Sequence, residues 1–451
     1  MALTGIEIFK LLPKTNCGAC GIPTCLAFAM ALAAAKTDLS KCPYVAEESR
    51  AKLIEASAPP IVPVTIGVGQ SALKIGGETV MFRHEKRFEN APGLAITITD
   101  KMSNTEVEAR LKKVEYLIYE RVGVTLRANL VALKSETGDA GKFAALAGKV
   151  KAAGDINIIL ISDKVEVLAA GAGACKEKRP LLYAATNDNA DEVIRLVKEV
   201  NCPVAARADG LEKLAALTEK LAAGGIKEIV IDPGSRGIRK ALEDQVIIRS
   251  AALSKKFRAL GYPTIVFASE MTKDPMQEPL IAAMFIAKYG GIIVLSDFKG
   301  ESLFPLLVAR LNLYTDPQRP LATKQGIYEI NNPDENSPLM VTSNFSLTYF
   351  IVSGEIENSK VPGYLYVKDT EGLSVVTAWA AGKFTGDIIG PAILKSGMAD
   401  RIKHRKLIIP GYIEAEKTSL EEEMKGWEIQ VGPKDAANLP AFLKSWKAAS
   451  P

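Results

Sequence analysis

Eight short β-rich runs alternate with amphipathic helical runs through the middle of the chain, and this alternation restricts the fold more than any other feature. The helical runs include 105–119 (TEVEARLKKVEYLIY), 190–199, 210–223 and 274–288. Strands that alternate with helices predict a parallel sheet. Eight repeats match a (β/α)8 TIM-like barrel, although an open doubly wound sheet follows the same local rules. The predicted strands are 94–99, 124–132, 156–162, 180–185, 203–207, 227–232, 263–268 and 291–296.

Two proline-containing segments divide the chain into domains. The first, SAPPIVP at 57–63, cannot continue a helix and favours an extended linker. A hairpin is predicted at 64–82, and a second linker, DPQRPLATKQ, occupies 316–325. We therefore predict an α/β protein in which a small domain at 1–57 is followed by a linker and hairpin at 58–92. The barrel occupies 93–318, and a last domain occupies 326–451.

The C-terminal block again alternates short strands with helices, and its size suits a flavodoxin-like domain. Its strands are predicted near 326–330, 339–342, 364–368, 406–409 and 427–431. Its helices are predicted at 346–356, 373–383, 415–425 and 435–448.

Charge and hydropathy argue against several functional classes. Lys and Arg number 56 against 52 Asp and Glu, without long basic blocks, which is a poor footprint for nucleic acid. The start of the chain mixes charges into its apolar run and has no small-residue cleavage site, so it does not read as a secretory signal. The most apolar stretches are shorter than the roughly 18 residues that span a bilayer. We expect a cytoplasmic protein that binds neither nucleic acid nor membrane.

Four of the six cysteines lie close together near the N-terminus. Cys17, Cys20, Cys25 and Cys42 have the spacing C-x2-C-x4-C-x16-C, and Pro43 follows the last. In a reducing compartment such a group more often holds a metal than forms disulfides. A domain this small buries little core, and a metal centre would supply the missing stability. Cys175 and Cys202 stand alone among apolar residues, which indicates buried structural thiols.

The cysteine spacing favours an iron–sulfur cluster. Structural zinc usually takes two C-x2-C hooks and this segment has one, whereas iron–sulfur clusters commonly gather three cysteines on a loop and a fourth from further along. Gly18 and Gly21 let the loop wrap closely, and Pro23 suits the first turn of a helix that would place Cys25 at its N-terminus. A 4Fe–4S cluster is therefore the preferred hypothesis, with zinc or a thioredoxin-like dithiol as alternatives.

The predicted strands of the C-terminal block end in small, glycine-containing and hydroxyl-rich loops. In parallel α/β sheets, ligands bind at these carboxyl ends. Each loop by itself also reads as a connection that caps the following helix. Together they predict a ligand-binding rim at 342–346 (TSNFS), 369–373 (DTEGL), 410–414 (PGYIE) and 432–435 (GPKD).

The order of the three blocks and the motif C-x2-C-G-x3-C-x2-F-A resemble the large (gamma) subunit of corrinoid/iron–sulfur proteins of the anaerobic acetyl-CoA (Wood–Ljungdahl) pathway. The archaeal counterpart belongs to the acetyl-CoA decarbonylase/synthase complex. The resemblance implies a methyl carrier whose C-terminal domain holds a corrinoid (cobamide). It would take a methyl group from methyltetrahydrofolate through a separate corrinoid methyltransferase and deliver it to acetyl-CoA synthase.

The resemblance also implies cofactors and partners. Cys17, Cys20, Cys25 and Cys42 match the family's ligands to a 4Fe–4S cluster, which would return oxidised cobalt to Co(I). The expected partners are the small subunit in a heterodimer, the methyltransferase, carbon monoxide dehydrogenase/acetyl-CoA synthase and a reductive activator. The chain would then be a methyl-carrying subunit of a transferase system rather than a catalyst by itself.

Position in the rim predicts the corrinoid contacts, which have no short signature in the family. No D-x-H-x-x-G loop is present, and His404 precedes a predicted strand, while His84 precedes the barrel, so we expect cobalt without a protein histidine ligand. The expected contacts are Met340, Thr342, Asn344, Ser346, Thr370, Glu371, Gly372, Leu373, Ser374, Gly411, Gly432 and Pro433.

Two other functions fit parts of the pattern. The C-terminal block has the size of an FMN domain, which would make the chain an iron–sulfur/flavin electron-transfer subunit. Alternatively, the barrel itself could act as a pterin-dependent methyltransferase through acids at its strand ends. Those acids are Asp100, Asp163, Asp232 and Asp297, all of which also suit helix caps. We expect the barrel to act as a docking scaffold instead.

Overall fold

The computed structural model describes residues 5–33, 37–50, 53, 59–128, 130–316 and 320–448. The chain forms two compact units. The first contains Met1–Ile118 and Arg127–Tyr314, and the second contains Tyr119–Leu126 and Thr315–Pro451. The predicted domain boundaries at residues 57–58 and at 318 lie outside the described residues. No helix in the described ranges has both the length and the apolar character needed to cross a bilayer.

The N-terminal part of the first unit contains two short helices with a small apolar core. Helices α1 (Gly5–Leu11) and α2 (Cys25–Ala33) pack so closely that a Cβ on Gly5 would overlap the Met30 sulfur. A 3-10 turn follows at Leu39–Lys41. The core contains Ile8, Leu12, Cys25, Phe28, Ala29, Leu39, Cys42, Val45 and Leu53.

Eight parallel strands close into a barrel in the first unit, so the barrel prediction is confirmed and the open sheet is wrong. Around the barrel the order is β3-β6-β7-β8-β9-β10-β11-β12, in which each strand neighbours the next along the chain. The barrel strands are β3 (Gly93–Thr99), β6 (Leu130–Lys134), β7 (Asn157–Ile161), β8 (Leu181–Ala185), β9 (Val204–Arg207), β10 (Ile229–Asp232), β11 (Thr264–Phe267) and β12 (Gly290–Leu295). Four shorter strands lie outside the barrel, namely β1 (Val64–Ile66), β2 (Leu73–Ile75), β4 (Tyr119–Arg121) and β5 (Val124–Leu126).

Helices connect the barrel strands, and the predicted helical runs are confirmed, except that the first helix ends at Tyr116 rather than at residue 119. The first begins at a capping box in which the Ser103 hydroxyl accepts from the Glu106 amide and the Glu106 carboxylate accepts from the Ser103 amide. The helices are α3 (Asn104–Tyr116), α4 (Ala140–Ala152), α5 (Val165–Cys175), α6 (Ala190–Val200), α7 (Leu211–Ala223), α8 (Ile238–Leu253), α9 (Ala268–Met271), α10 (Gln277–Ala287) and α11 (Gly300–Tyr314).

The predicted hairpin after the first linker is confirmed as β1 and β2, which pair antiparallel. Val64, Ile66 and Ile75 are fully buried in one cluster with residues of the barrel strands. A Cβ on Gly93, the first residue of β3, would lie 2.5 Å from the Leu73 side chain. The hairpin therefore covers the amino-terminal end of the barrel.

The predicted strand at 124–132 is wrong, because the segment forms parts of two separate elements. Strands β4 and β5 make a hairpin that belongs to the second unit, and β6 begins only at Leu130. Val122 and Gly123 both have positive φ, at 48° and 70°, which is the requirement of a two-residue hairpin turn. The predicted run begins at Val124, after this turn, and wrongly continues through Arg127 and Ala128 across the break between β5 and β6.

The second unit contains a five-stranded sheet in the order β13-β15-β14-β16-β17. Its strands are β13 (Gly326–Ile330), β14 (Leu339–Ser343), β15 (Gly363–Lys368), β16 (Lys406–Ile409) and β17 (Glu428–Val431). The five predicted strands are therefore present, but β13 runs antiparallel at the edge with no helix after it. The four parallel strands change direction of progression between β14 and β16, which is a topological switch point.

Helices cover both faces of this sheet. Leu339, Val341 and Ile409 face one apolar core, and Met340, Leu365 and Ile408 face the other. The stretch 386–401, to which no element was assigned from the sequence, forms two helices. The helices are α12 (Ser346–Ser359), α13 (Val375–Ala380), α14 (Gly386–Lys395), α15 (Met398–Arg401), α16 (Lys417–Glu423) and α17 (Leu439–Ser445), with 3-10 turns at Gly411–Glu416 and Ala436–Asn438.

Candidate functional site

An apolar cleft of about 330 Å³ opens at the switch point of the second unit. Its floor is formed by β14 and β16 through Met340, Thr342 and Ile408, and α12 forms one wall. The loops after β16 and β17 and the start of α13 complete the rim. A crevice at the carboxyl ends of strands, where the order reverses, is the general ligand site of such sheets.

Thr342 provides an unpaired polar group in the floor of the cleft. Its side chain is only 1% exposed, and its hydroxyl has no hydrogen-bond partner among the described residues. The Ser343 hydroxyl is also buried without a partner there, but Ser343 is not part of the cleft wall. Buried hydroxyls in folded proteins are usually paired. The Thr342 hydroxyl is thus available to a ligand that fills the cleft.

Five of the predicted contacts line this cleft: Met340, Thr342, Ser374, Gly432 and Pro433. Gly432 allows a close approach, since a Cβ there would lie 3.1 Å from both the Ile408 side chain and the Ile409 carbonyl oxygen. The small loops that predicted a rim therefore do allow backbone to form part of the cleft wall.

Asn344 acts on the loop after β15 and does not line the cleft. Its side-chain oxygen accepts from the Thr370 amide at 3.0 Å, the Thr370 hydroxyl at 2.9 Å and the Gly372 amide at 2.9 Å. Its amide nitrogen donates to Asp369 at 2.8 Å. Asn344 therefore fixes the loop that leads to Ser374, and its role as a direct ligand contact stays a prediction.

The remaining predicted contacts also lie outside the cleft wall. Glu371 and Leu373 belong to the loop that Asn344 holds, and Glu371 forms an ion pair with Lys383 at 2.5 Å. Ser346 begins α12, where its amide donates to the Leu321 carbonyl. A Cβ on Gly411 would lie 2.6 Å from the Gly432 carbonyl oxygen, so Gly411 lets the two loops touch.

Sequence reasoning missed the side chains that form the walls. They include Thr348, Ile351 and Val352 from α12, Tyr412 and Lys434 from the rim, and Leu439 from α17. A signal was present, because α12 carries apolar residues on more than its packed face, and Leu347, Phe350 and Ile351 are all exposed. A surface helix with a second apolar face indicates a covered or ligand-binding surface.

His404 lies at the opposite edge of the sheet, before β16. Its Nε2 contacts the Ser337 carbonyl oxygen at 2.9 Å, and its Nδ1 accepts from the Lys406 amide at 3.2 Å. The ring also packs against Trp446, with 5.1 Å between centroids. Burial lowers the pKa of His404. His404 therefore has a structural role distant from the cleft.

The four N-terminal cysteines lie on one loop, one helix and one turn. Cys25 and Cys42 are buried in the small apolar core and Cys20 packs against it, while Cys17 is exposed. The Asn16 side chain accepts from the Cys25 amide at 2.8 Å and so caps α2. Hydrogen bonds from the Ala19 amide and then from Thr15 lower the pKa of Cys17.

This donor set fits a cluster of several metals. Within the described ranges, no three His, Cys, Asp or Glu side chains are close enough to hold a single metal ion. Gly18 and Gly21 have positive φ, and a Cβ on either would meet no atom within 4 Å. The loop around them therefore leaves open space beside Cys17 and Cys20.

The acids at the barrel mouth are engaged in pairing with neighbouring groups. Asp232 is 1% exposed and accepts from Tyr183 at 2.6 Å and from Arg236 at 2.9 Å. Arg236 also donates to Glu270 at 2.6 Å, and Glu270 pairs with Lys134 at 3.0 Å. Burial, followed by the charge of Asp232, raises the pKa of Tyr183 well above its ordinary value.

The other three predicted acids do not belong to this network of polar contacts. Asp100 accepts from Ser135 and Thr137 and so holds the loop after β6. Asp297 pairs with Lys113 at 2.7 Å, and Asp163 is almost fully exposed. The structure does not bring these four acids together into one group.

Family models match two parts of the chain. Residues 63–443 match the family described as "CO dehydrogenase/acetyl-CoA synthase delta subunit". Residues 12–44, which contain all four clustered cysteines, match the family described as "Putative Fe-S cluster".

Full-length relatives add to this. The "Corrinoid/iron-sulfur protein large subunit" of Moorella thermoacetica is 43% identical over 99% of both chains. The "Acetyl-CoA decarbonylase/synthase complex subunit gamma" of Methanopyrus kandleri is 35% identical over 98% of this chain and 97% of its own. Dihydropteroate synthase from Thermus thermophilus matches 55% of this chain and all of its own, with 15% identity and a TM-score of 0.38. The protein therefore belongs to the family of corrinoid/iron–sulfur large subunits of the acetyl-CoA pathway and the gamma subunits of acetyl-CoA decarbonylase/synthase complexes.

Proposed function

We propose that this chain is a methyl-group carrier that accepts a methyl group from methyltetrahydrofolate through a separate methyltransferase and delivers it to acetyl-CoA synthase. When bound, a cobamide supplies a cobalt atom that takes up and releases the methyl group, and a 4Fe–4S cluster supplies single electrons that keep this cobalt reduced. The chain works in the cytoplasm as one half of a heterodimer with a small subunit, and a reductive activator restores it after oxidation.

The switch-point cleft carries this proposal. It is apolar and has small loops at its rim, and the buried hydroxyl of Thr342 has no partner among the residues that the structure describes. A protein binds and orients a cofactor and shields it from water, while the chemistry belongs to the cofactor. Met340, Ile408 and α12 exclude water from the bound part, and Asn344 holds the loop that presents Ser374 to it.

The N-terminal cysteines would hold the cluster. Cys25 and Cys42 approach it from the apolar core, Cys20 lies at the edge of that core, and Cys17 lies at the solvent side. Amide donation to the sulfur of Cys17 favours its thiolate, which is the form that binds iron. One exposed ligand also leaves the cluster accessible to an electron-donating partner.

Cobalt is expected to have no histidine ligand from this chain. His404 has both ring nitrogens engaged at the amino edge of the sheet, and His84 stacks on Phe82 in the segment before the barrel. The sequence contains only these two histidines. A nitrogen ligand stabilises higher-valent cobalt, so its omission makes reduction easier.

Metal and cofactor analysis of the anaerobically purified chain, together with its co-purifying partner, tests the proposal. We expect about four irons per chain, as for a 4Fe–4S cluster, together with cobalt and a corrinoid absorbance that changes on reduction. Iron without any corrinoid would defeat the proposal, and a flavin spectrum would favour the electron-transfer alternative. Methyl transfer to free cobalamin by the isolated chain would favour the barrel as a pterin methyltransferase.

A matched pair of cysteine variants tests the ligand assignment. Cys42→Ala should lose most of the iron, since it removes one of the four thiols. Cys202→Ala replaces an equally buried thiol in the barrel unit and should keep all of it. Equal iron in the two variants would remove Cys42 from the cluster.

A further inference from the structure

A second cavity of the C-terminal unit lies between the edge strand β13 and helix α14. Its volume is about 540 Å³, which is within the usual range for small-molecule sites. It shares no lining residue with the switch-point cleft, so the two are separate sites. We call this cavity the edge groove, and its walls include Ile327, Tyr366, Lys368, Ile388, Pro391 and Lys395.

The floor of the edge groove is apolar but contains an unpaired hydroxyl, that of Tyr366. Ile327 from β13 and Pro391 from α14 present apolar surface beside it. Tyr366 is 4% exposed, and its hydroxyl makes no hydrogen bond to any residue that the structure describes. Burial raises the pKa of Tyr366, so the hydroxyl keeps its proton and remains a donor. Because buried hydroxyls are usually paired, a ligand that offers an acceptor explains this one.

Two lysines lie toward opposite ends of the edge groove. Lys368 is the last residue of β15, at the carboxyl edge of the sheet. Lys395 is the last residue of α14, which runs back toward the amino edge, where Arg401 of α15 pairs with Glu329. From Ile388 to Lys395 the helix rises by about 10 Å. The positive charges are therefore separated by the length of the groove.

Neither ammonium group is neutralised by a carboxylate in the part of the chain that the structure describes. Lys368 donates to the Asp369 carbonyl oxygen at 2.9 Å and to the Gln325 side chain at 3.4 Å, which leaves one of its three N–H groups. Lys395 has no ion pair or side-chain hydrogen bond there. No acidic residue among those described lines the groove. The groove therefore favours a ligand with a negative charge at each end.

We propose that the edge groove binds a small dicarboxylate, in which an apolar chain separates two carboxylates. One carboxylate pairs with Lys368 and the other with Lys395. The chain packs on Ile327 and Pro391, and the Tyr366 hydroxyl donates to the nearer carboxylate oxygen. The site goes beyond the proposed function and needs no corrinoid, because it includes no residue of the switch-point cleft.

Titration calorimetry of the full-length chain with its bound cofactors tests this through three probes. Suberate is an eight-carbon dicarboxylate. Octanoate has the same chain length but one carboxylate, and succinate has two carboxylates on a chain too short to reach both lysines. We expect suberate to bind about fivefold more tightly than either of the others, since each of them loses one ion pair. Equal binding of all three probes would overturn the proposal.

Lysine variants locate the bound suberate. Lys368→Gln and Lys395→Gln should each weaken its binding about threefold, and the double variant about tenfold. Lys425→Gln removes an exposed lysine of the same unit outside the groove and should bind suberate as the unchanged chain does. Lys434→Gln removes the lysine at the switch-point rim. If Lys434→Gln weakens suberate binding and the groove variants do not, the ligand lies in the other cleft and the proposal is wrong.

Tyr366→Phe separates ligand binding from packing, because it removes only the hydroxyl. It should weaken suberate binding about threefold. Without suberate it should melt at the same or a higher temperature than the unchanged chain, and a lower melting temperature would show that the hydroxyl has a structural partner and overturn its role in the site. If the unchanged chain does not bind suberate, the proposal fails. The proposed function stands in that case, because metal and corrinoid analysis tests it separately.

Discussion

The carboxyl ends of parallel strands meet twice in this protein, at the barrel mouth and at the switch point of the second unit, and the two places have opposite chemistry. At the barrel mouth, Asp232, Arg236 and Glu270 pair with one another and with their neighbours. At the switch point, the walls are apolar and the hydroxyl of Thr342 has no hydrogen-bond partner in the part of the chain that the structure describes. Polar groups that satisfy each other stabilise a fold, whereas a buried polar group left unpaired is available to a ligand.

The largest expected effect comes from breaking the barrel network. Arg236→Met leaves Asp232 buried with one charge partner fewer, and such losses cost about 3 kcal/mol of unfolding free energy. Calorimetry of the full chain should show the barrel transition at lower temperature. Arg239→Met, which removes an exposed pair with Glu243, is the matched control and should change stability by less than about 0.5 kcal/mol. Retention of full stability in Arg236→Met would show that the network is not structural.

Asn344 extends the comparison to the second unit, because its polar side chain is fully paired although it lies beside the cleft. Asn344→Ala leaves the Thr370 and Gly372 amides without their acceptor and should cost about 2 kcal/mol. Tryptophan fluorescence during urea unfolding measures this, since Trp379, Trp427 and Trp446 all belong to the second unit. Asn336→Ala, at an exposed position, should leave the curve unchanged. Coincident curves for the two variants would contradict the loop-holding role of Asn344.

Gly411 tests whether the contact between the two rim loops shapes the cleft. In Gly411→Ala the new Cβ would lie 2.6 Å from the Gly432 carbonyl oxygen and 2.8 Å from the Lys434 amide nitrogen, so the loops must separate. We expect a loss of about 1.5 kcal/mol by the same fluorescence measurement, as for other overpacked sites. Gly354→Ala, within α12, meets no atom within 4 Å and should stabilise by roughly 0.5 kcal/mol. A stabilised Gly411→Ala would mean that the loops are not in close contact.

The smallest expected effect concerns His404, at the edge of the sheet away from the cleft. Burial lowers the pKa of His404, so the unfolded chain binds a proton more readily and stability falls as pH decreases below about 6.5. His404→Gln should reduce this slope, which Trp446 fluorescence reports because the ring packs on it. The cobalt EPR spectrum should be the same in both proteins. Loss of nitrogen hyperfine splitting in His404→Gln would show that His404 binds cobalt.

Sequence periodicity was sufficient for seven of the eight barrel strands and for the five sheet strands, because most of these strands are buried and their connecting helices have an apolar face. Periodicity does not report on hydrogen bonds between distant segments. The role of Asn344 depends on the position of residues 369–372 in the folded chain. The residues next to Asn344 in the sequence do not determine that position. The reversal at Val122 and Gly123 was missed since valine is unusual at positive φ.

The small rim loops predicted where the cleft lies, but they predicted only some of the residues that line it. Their glycines indicated correctly that backbone approaches backbone, as at Gly432. The walls instead come from helix faces, where Ile351 and Leu439 look like ordinary core residues in a sequence. Whether an apolar residue faces a core or a cleft depends on the neighbouring helix, so only the folded chain distinguishes the two cases.

The β4–β5 hairpin has a consequence for how this protein can be divided and synthesised. Residues 119–126 lie inside the barrel sequence but belong to the second unit, so a fragment that ends after the barrel carries a two-stranded ribbon without its partners. A fragment beginning at residue 326 lacks that ribbon. On the ribosome, the ribbon emerges long before α12 of the same unit. Such a long separation in sequence favours slow folding of the unit and transient exposure of apolar surface. Gene-level engineering of this family should therefore graft the ribbon together with the C-terminal domain.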